Sequence, residues 1–470
     1  MKRNIRGMTL AAMLLSASAS VHAGDQEYAD AEQASQAFVG DLGVQQVAHN
    51  STHVGNLSSY SPVTVGDMQL GSTVSQAGCT SCDSFSCDGG CDSSCDSRFG
   101  SGKRFGRLLN LCDKDGWIRA EGMIMFMEAR TAPALVTTAD PTQFPVLPDP
   151  NNGAGSGATT QVVFGEELDG GVSGGTRFDV GRYLSDNFGI GGRFMWLSEN
   201  GDDFSASGNG TGDSIGRPFF QIPLAAPGTA SESALIVNQF STNPGINSQR
   251  GTVNASFSTD LLSAEAYARM MYCKNKSSRV ELIGGYSFFR VDDNVSISSR
   301  TTDVVTNTFL ADYSDFDTQN EFHGGQIGYE SLVSRGAWTV RMLTKVHMGN
   351  MSRTVTNYAR TDVGVDTTIT NTYNSSLLVD ENQGTEEESD FTFIPELNLT
   401  LGYRFRDHVS FTVGYNFLYF DKVALAGEQI NRNVDGTDGP RNIDPADFDF
   451  DIVDGSLWVQ GISLGTTIDY

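Results

Sequence analysis

The chain lacks any hydrophobic run long enough for a membrane-spanning helix. Outside its first residues, no window reaches the about 18 consecutive apolar residues that such a helix requires. Helical periodicity is also scarce, since only the short stretch 33–38 shows it away from the N-terminus. These absences exclude a membrane helix and leave a chain that must fold through β-strands.

Basic residues and histidines are few. The sequence has 31 Lys and Arg against 57 Asp and Glu, a formal net charge of -26. So acidic a chain repels phosphate backbones and anionic surfaces, which excludes nucleic acid as a partner. With six histidines and no Gly-x-Ser-x-Gly motif in the strand–turn–helix context of a catalytic serine, we expect no enzymatic activity, no catalytic residues and no cofactor.

The N-terminus has the features of a secretory signal. Lys2, Arg3 and Arg6 precede an apolar stretch at 8–17, and residues 21–23 fit a small-residue cleavage site. No cysteine follows that site, so a lipid anchor is not expected. We predict a Sec-type signal peptide at 1–23, then a disordered, Ser/Gly/Cys-rich periplasmic lead-in at 24–115.

The last strand is typical of a bacterial outer-membrane barrel. Ile468, Leu464 and Ile462 share one face with the final aromatic Tyr470, whereas Thr467 and Ser463 share the other. We predict that Gly465, Ile468 and Tyr470 form an insertion signal read by the barrel assembly machinery. An edge strand of a soluble sheet is the alternative.

The same alternation recurs in pairs of segments. Ten strands are predicted at 117–127, 176–184, 188–197, 264–272, 279–289, 320–330, 338–348, 391–405, 409–420 and 458–470. Four connections are short and five are long, which favours an all-β, antiparallel, up-and-down transmembrane barrel at residues 116–470 over a soluble sandwich. Twelve strands are the alternative, since 162–168 could be another. Exposed rings such as Trp117 and Tyr403 are predicted to face outer-membrane lipid.

Acidity is concentrated in the five long connections. Segments 129–175, 198–261, 291–318, 350–390 and 422–455 contain 33 acidic and 9 basic residues. With short turns in the periplasm, these become acidic surface loops. They could attract cations or bind divalent ions, or they could simply keep the loops solvated.

The opposite strand faces are predicted to line the lumen. The candidates are Arg119, Glu121, Arg177, Asp179, Arg193, Glu265, Arg269, Glu281, Arg341, Lys345, Glu396 and Arg404. They could set the selectivity of an aqueous constriction, or they could pair and plug a barrel that ten strands leave near the closed limit.

Two further clusters suggest chemistry. His323 and His347 fall on neighbouring strands and could bind metal, although a hydrogen-bonded lumen histidine is the favoured reading. Disulfides or covalent cross-links are predicted over a metal site or a reduced linker for the seven cysteines, which are Cys79, Cys82, Cys87, Cys91, Cys95, Cys112 and Cys273.

The ordered motifs GWIRAE at 116–121, GGTRFDVGRYL at 174–184, ELIGGYSFFRVDD at 281–293 and FIPELNLTLGYRFRDHVSFTVGYNFLYFDKVALAGEQIN at 393–431 resemble the putative beta-barrel porin family 7 of planctomycete bacteria. The resemblance implies an outer-membrane barrel and a porin role, with no catalytic residues. We therefore predict a porin for passive diffusion of small solutes or ions. A closed structural or surface-binding barrel is the alternative.

Overall fold

The computed structural model describes residues 116–148, 159–169, 171–222, 231–243, 246–435 and 442–470. The predicted signal peptide, the lead-in and all cysteines except Cys273 lie outside this part of the chain. The described strands, in chain order, are β1 Gly116–Met127, β2 Arg130–Ala139, β3 Gln161–Leu168, β4 Val172–Ser185, β5 Phe188–Gly208, β6 Ser214–Ile222, β7 Ser231–Asn238, β8 Gln249–Lys274, β9 Ser278–Asp303, β10 Thr308–Arg335, β11 Trp338–Val365, β12 Thr368–Tyr373, β13 Gly384–Arg406, β14 Val409–Val423, β15 Asn433–Asp435 and β16 Gly455–Asp469.

Ten of the described strands close an antiparallel barrel, as predicted. Their order around the barrel is β1, β4, β5, β8, β9, β10, β11, β13, β14 and β16, and β16 pairs back onto β1. At the closure Trp117 is opposite Asp469. The amide of Gly116 donates to the carbonyl of Tyr470 at 2.6 Å, and the amide of Tyr470 donates to the carbonyl of Gly116 at 2.9 Å.

The two ends of the barrel differ in their connections. At the short-turn end, residues 186–187, 275–277, 336–337 and 407–408 join successive strands. Gly336 has a φ of 63°, a conformation that a glycine adopts without the cost a side chain would bring. At the opposite, long-loop end, the connections carry the remaining strands and two 3₁₀ turns. No helical segment in the described ranges is long and apolar enough to cross a bilayer.

The strands are longer than the sequence predicts. β8 and β9 have 26 residues each and β10 and β11 have 28 each, so most of the expected loop 291–318 is strand, with only 304–307 between β9 and β10. A 28-residue strand tilted in a barrel rises about 70 Å, against an apolar band about 25 Å tall. The barrel therefore extends far beyond the membrane at its long-loop end.

A second sheet fills the mouth of this extension. β15, β6, β2 and β3 pair in that order, and β7 pairs with β6. β3 is the segment considered as an additional barrel strand, and it belongs to this sheet instead. Its Phe164 and Leu168 pack with residues such as Val253, Val295 and Phe316 on the inner faces of the long barrel strands. The sheet thus lies against the inside of the barrel wall.

The segment that follows β14 turns into the lumen. Ala424, Leu425 and Ala426 are buried. The side chain of Asn320 accepts from the amide of Ala424 at 2.7 Å and donates to its carbonyl at 2.9 Å. The carboxylate of Asp293 accepts from the amide of Ala426 at 2.9 Å. These bonds satisfy backbone groups that would otherwise be buried without partners, and they fix the segment inside the barrel.

Candidate functional site

The lumen near the short-turn end contains a layer of charged side chains. Of the twelve residues predicted to face inward, ten are buried, Arg341 is 11% exposed in its side chain, and Arg404 lies exposed at the mouth. Glu330, which was not among the predicted lumen residues, completes this layer. The layer contains six acidic and six basic side chains. The acidic ones are Glu121, Asp179, Glu265, Glu281, Glu330 and Glu396, and the basic ones are Arg119, Arg177, Arg193, Arg269, Arg341 and Lys345. The layer is electrically balanced.

Asp179 is one centre of this charged layer. One carboxylate oxygen accepts from the indole of Trp117 at 2.7 Å and from the hydroxyl of Tyr267 at 2.6 Å. The other lies 3.4 Å from Arg193 and 3.5 Å from Arg119. Every side of the carboxylate is therefore occupied by a donor. Trp117 is 2% exposed and points into the lumen, so the prediction that it faces lipid is wrong.

Glu330 holds two arginines from different strands. Its carboxylate accepts two hydrogen bonds from Arg119, at 3.2 and 3.3 Å, and two from Arg269, at 2.9 and 3.3 Å. Both arginines thus form paired bonds, which fix planar groups in direction as well as distance. The Nε of Arg341 lies 3.8 Å from a carboxylate oxygen of Glu330, which is too far for a hydrogen bond.

Glu396 is the second centre. Arg193 donates to it at 2.8 Å, Lys345 lies 2.7 Å away, and His347 contacts it at 3.1 Å. The other ring nitrogen of His347 is 2.9 Å from the hydroxyl of Ser287. Arg193 joins this centre to Asp179, so the layer is one connected network. Removing a member of such a network leaves a buried charge without its partner.

An apolar layer lies in the lumen beyond the charges. Its buried side chains come from the barrel strands and from the segment after β14, and they are Met123, Met125, Met127, Met195, Leu197, Leu261, Phe289, Val291, Phe322, Met351, Ile394, Leu418, Phe420, Val423, Leu425, Leu457 and Val459. Phe289 packs edge-on against Phe322 and Phe420, with ring centroids 6.0 and 5.5 Å apart. Such a layer offers neither donors nor acceptors to water or ions.

The open volume in the lumen lies at the short-turn end. A cavity of about 410 Å³ is bounded there by the turns and by Arg119, Arg341 and Arg404. Within the charged layer itself, a cavity of only about 20 Å³ is found. That space holds roughly one water molecule, since a water needs about 10–15 Å³ of such volume. Of these two cavities among the described residues, the larger therefore lies below the charged layer, and little open space lies within that layer.

The comparison with protein families decides the identity of this barrel. The family model described as Putative beta barrel porin-7 matches residues 117–470.

The chain belongs to this family.

Solved structures with similar folds include the outer membrane protease OmpT from Escherichia coli, at 8% identity and a TM-score of 0.36, covering 75% of this chain and 97% of that one. The Pseudomonas putida toluene transporter TodX has 6% identity and a TM-score of 0.17, and the match covers 77% of this chain and 92% of that one. A Pseudomonas aeruginosa FadL homologue has 8% identity and a TM-score of 0.19, and the match covers 75% of this chain and 90% of that one. These likenesses concern the barrel architecture alone. The search of curated proteins gives no match.

His323 and His347 of this family member do not face each other. His347 is buried in the lumen, whereas His323 lies on the outer face, 2.7 Å from the hydroxyl of Tyr286. The interpretation of these two residues as a shared metal site is therefore wrong. The pair Gly324-Gly325 obscured the strand parity at this point, which also hid Glu330. The described residues hold no group of three or more His, Cys, Asp or Glu that could bind a metal ion.

Other predicted site residues lie at the short-turn end. A Cβ at Gly465 would come within 2.6 Å of the Glu121 side chain, so this glycine lets β16 approach the charged layer. Ile468 is 37% exposed on the outer face. Tyr470 covers Gly116 at the closure. Cys273 lies half-buried near the end of β8, beside the turn 275–277.

Proposed function

We propose that this family member is an outer-membrane barrel with a closed lumen, which holds its long-loop end in the medium as a structural or surface-binding element. The apolar layer from Met123 to Val459 supports this most strongly, because its packed side chains offer an ion no replacement for lost water. The balanced charged layer below it supports the same conclusion. The proposal includes no catalytic step.

Current measurements test the closed lumen. In planar bilayers we expect no discrete conductance steps from the purified wild-type protein. Replacing Phe289, Phe322 and Phe420 together by alanine removes three rings of the apolar layer, so this variant should leak ions. A matched variant replaces three outward rings, Phe178, Phe194 and Phe411, and should stay closed. Regular steps from the wild-type protein would contradict the proposal.

Passive diffusion of small solutes or ions is the second candidate, favoured by membership in a family described as a porin. It requires the segment 424–430 and the apolar layer to move aside. In that case the wild-type protein would conduct, and fixing the segment 424–430 against the wall would stop the current.

Orientation is part of the proposal. We infer that the short turns face the periplasm, as even-stranded outer-membrane barrels commonly arrange them. An epitope inserted after Val305, in the turn between β9 and β10, should bind antibody on intact cells. The same epitope after Lys276, in the turn between β8 and β9, should bind only after the outer membrane is opened. The reverse pattern would overturn the orientation. Divalent-cation binding at the acidic segments and cysteine cross-links stay predictions.

A further inference from the structure

The cavity at the short-turn end has a charge opposite to that of the whole chain. One acidic side chain lines it, Asp469, although the net charge of the protein is -26. The same cavity is lined by six basic side chains, which are Arg119, Lys274, Lys276, Arg279, Arg341 and Arg404. They approach from the turn between β8 and β9 and from strands on the other side of the lumen. Arg119, Arg279 and Arg341 also lie within 4.0 Å of a carboxylate of Glu330 or Glu281. The excess positive charge at this partly enclosed volume of about 410 Å³ therefore comes from the other three cations.

Several of these cations have no counter-charge within ion-pair distance among the described residues. Arg404, Lys274 and Lys276 make no ion pair with any described residue. This differs from the charged layer just above, where the acids are engaged by bases at short distances. Like charges held together in a partly enclosed site repel one another, and a bound anion would relieve that repulsion.

Arg341 is the most informative of the six. Only 11% of its side-chain surface is exposed, and its buried Nε has no hydrogen-bond partner among the described residues. Glu330, 3.8 Å away, already accepts four hydrogen bonds from Arg119 and Arg269. Arg341 thus lines the cavity and donates no hydrogen bond to any described residue. A nearly buried guanidinium normally finds such a partner.

We propose that this cavity is a binding site for a small, soluble polyanion of the phosphate type. Arg341 and Arg404 would hold it, since guanidinium groups match phosphate oxygens with paired donors. Lys274 and Lys276 add charge at the entrance. Hydroxyls of Ser277, Thr339 and Thr400 also line the cavity and can serve as further donors. The barrel wall encloses the site, so the ligand enters from the aqueous side at the short-turn end. Binding at this cavity does not require that the barrel conducts.

Titration calorimetry with pyrophosphate tests the site in protein refolded into a zwitterionic detergent. We expect saturable binding at low salt that weakens as salt rises. Losing charge-assisted bonds should make Arg341→Gln bind roughly tenfold or more weakly. Arg404→Gln should bind more weakly by a smaller factor. Because the Arg404 side chain is exposed and outside the buried network, its replacement leaves the fold intact, which heat-modifiable mobility on gels verifies for both variants.

Arg406→Gln is the matched control. Arg406 lies two residues from Arg404 on β13, stacks on Phe405 and does not line the cavity. Its replacement removes the same charge and should leave binding unchanged. Absence of saturable binding by the wild-type protein would overturn the proposal. So would equal weakening by Arg406→Gln, because binding would then follow net charge alone.

Discussion

The two halves of strand β9 have opposite polarity on the same wall. In the membrane half, up to Phe288, apolar residues such as Leu282 and Tyr286 face outward, and Glu281 and Ser287 are buried in the lumen. In the extended half the pattern reverses, with Val291, Val295 and Ile297 buried inside and Asp292, Asn294 and Ser296 on the outer face. The strand continues without a break while both of its faces change character.

The difference shows how solvent selects the core. Where lipid surrounds the wall, the outer face is apolar and the lumen can hold a satisfied polar network. Where water surrounds the wall, the strands need an apolar interior, which the second sheet completes through Phe164 and Leu168. The apolar layer around Phe289 lies at the boundary. In β9 this layer begins at Phe289, directly after the membrane half.

The largest effect should come from breaking the network of the membrane half. Asp179→Ala removes the acceptor shared by Trp117, Tyr267 and two arginines. Because buried cations are left without their partner, the free energy of unfolding should fall by about 3–5 kcal/mol. Denaturant titration in detergent micelles measures it.

Asp315→Ala is the control for that change. Asp315 faces outward in the extended half, beside Asn294. Its loss should lower the free energy of unfolding by less than about 1 kcal/mol, as is usual for partly exposed polar pairs. Equal effects of the two replacements would mean that the charged layer contributes no more than a surface contact.

A charge placed on the outer face should distinguish the halves next most strongly. Leu399 is 47% exposed within the outward apolar belt of β13. Leu399→Arg should lower stability in lipid by about 2–4 kcal/mol, the range for arginine near the bilayer midplane. Ser298→Arg, on the outer face of the extended half, should change it little. The free energies of unfolding of the two variants are compared in lipid vesicles. A similar loss of stability at both sites would show that the extended half also contacts lipid.

The sequence predicted the barrel well because lipid imposes a simple alternation. All ten strands, their order and most of the charged layer follow from the outward apolar residues of the membrane half. The extensions were missed because the apolar face of β9 shifts parity at Phe289, which looks like the end of a strand. Glu330 was missed for the related reason that Gly324 and Gly325 offer no side chains to fix the parity.

The contacts that fill the lumen could not be predicted from strands alone. Alternation identifies which residues face inward, but not how far each side chain reaches across the barrel. The pairs of Arg193 with Glu396 and of Arg119 with Glu330 span 203 and 211 residues of sequence. The segment at 424–430 contains no strand and gives no sequence pattern for a plug. Its place depends on Asn320 and Asp293, which lie on distant strands.

The smallest effect concerns the tip of the extended half, where the turn between β9 and β10 depends on one carboxylate. Asp303 accepts from the amides of Val305 and Thr306, both at 2.8 Å, and from the Asn247 side chain at 2.7 Å. The Thr306 amide and the Asn247 amide group lower the pKa of Asp303 to about 2. A depressed carboxyl pKa means that this contribution is present above the unfolded pKa of about 4 and is lost as pH falls through about 2.

The amide resonances of Val305 and Thr306 report this titration directly. In detergent micelles both should shift with a midpoint near pH 2 rather than about 4. Asn247→Ala removes one donor to the charged form, so the midpoint should rise while the overall barrel stability stays the same. Asp303→Asn should abolish the titration. A wild-type midpoint near 4 would mean that the turn does not hold the carboxylate, and that the tip of the extended half is ordered by strand pairing alone.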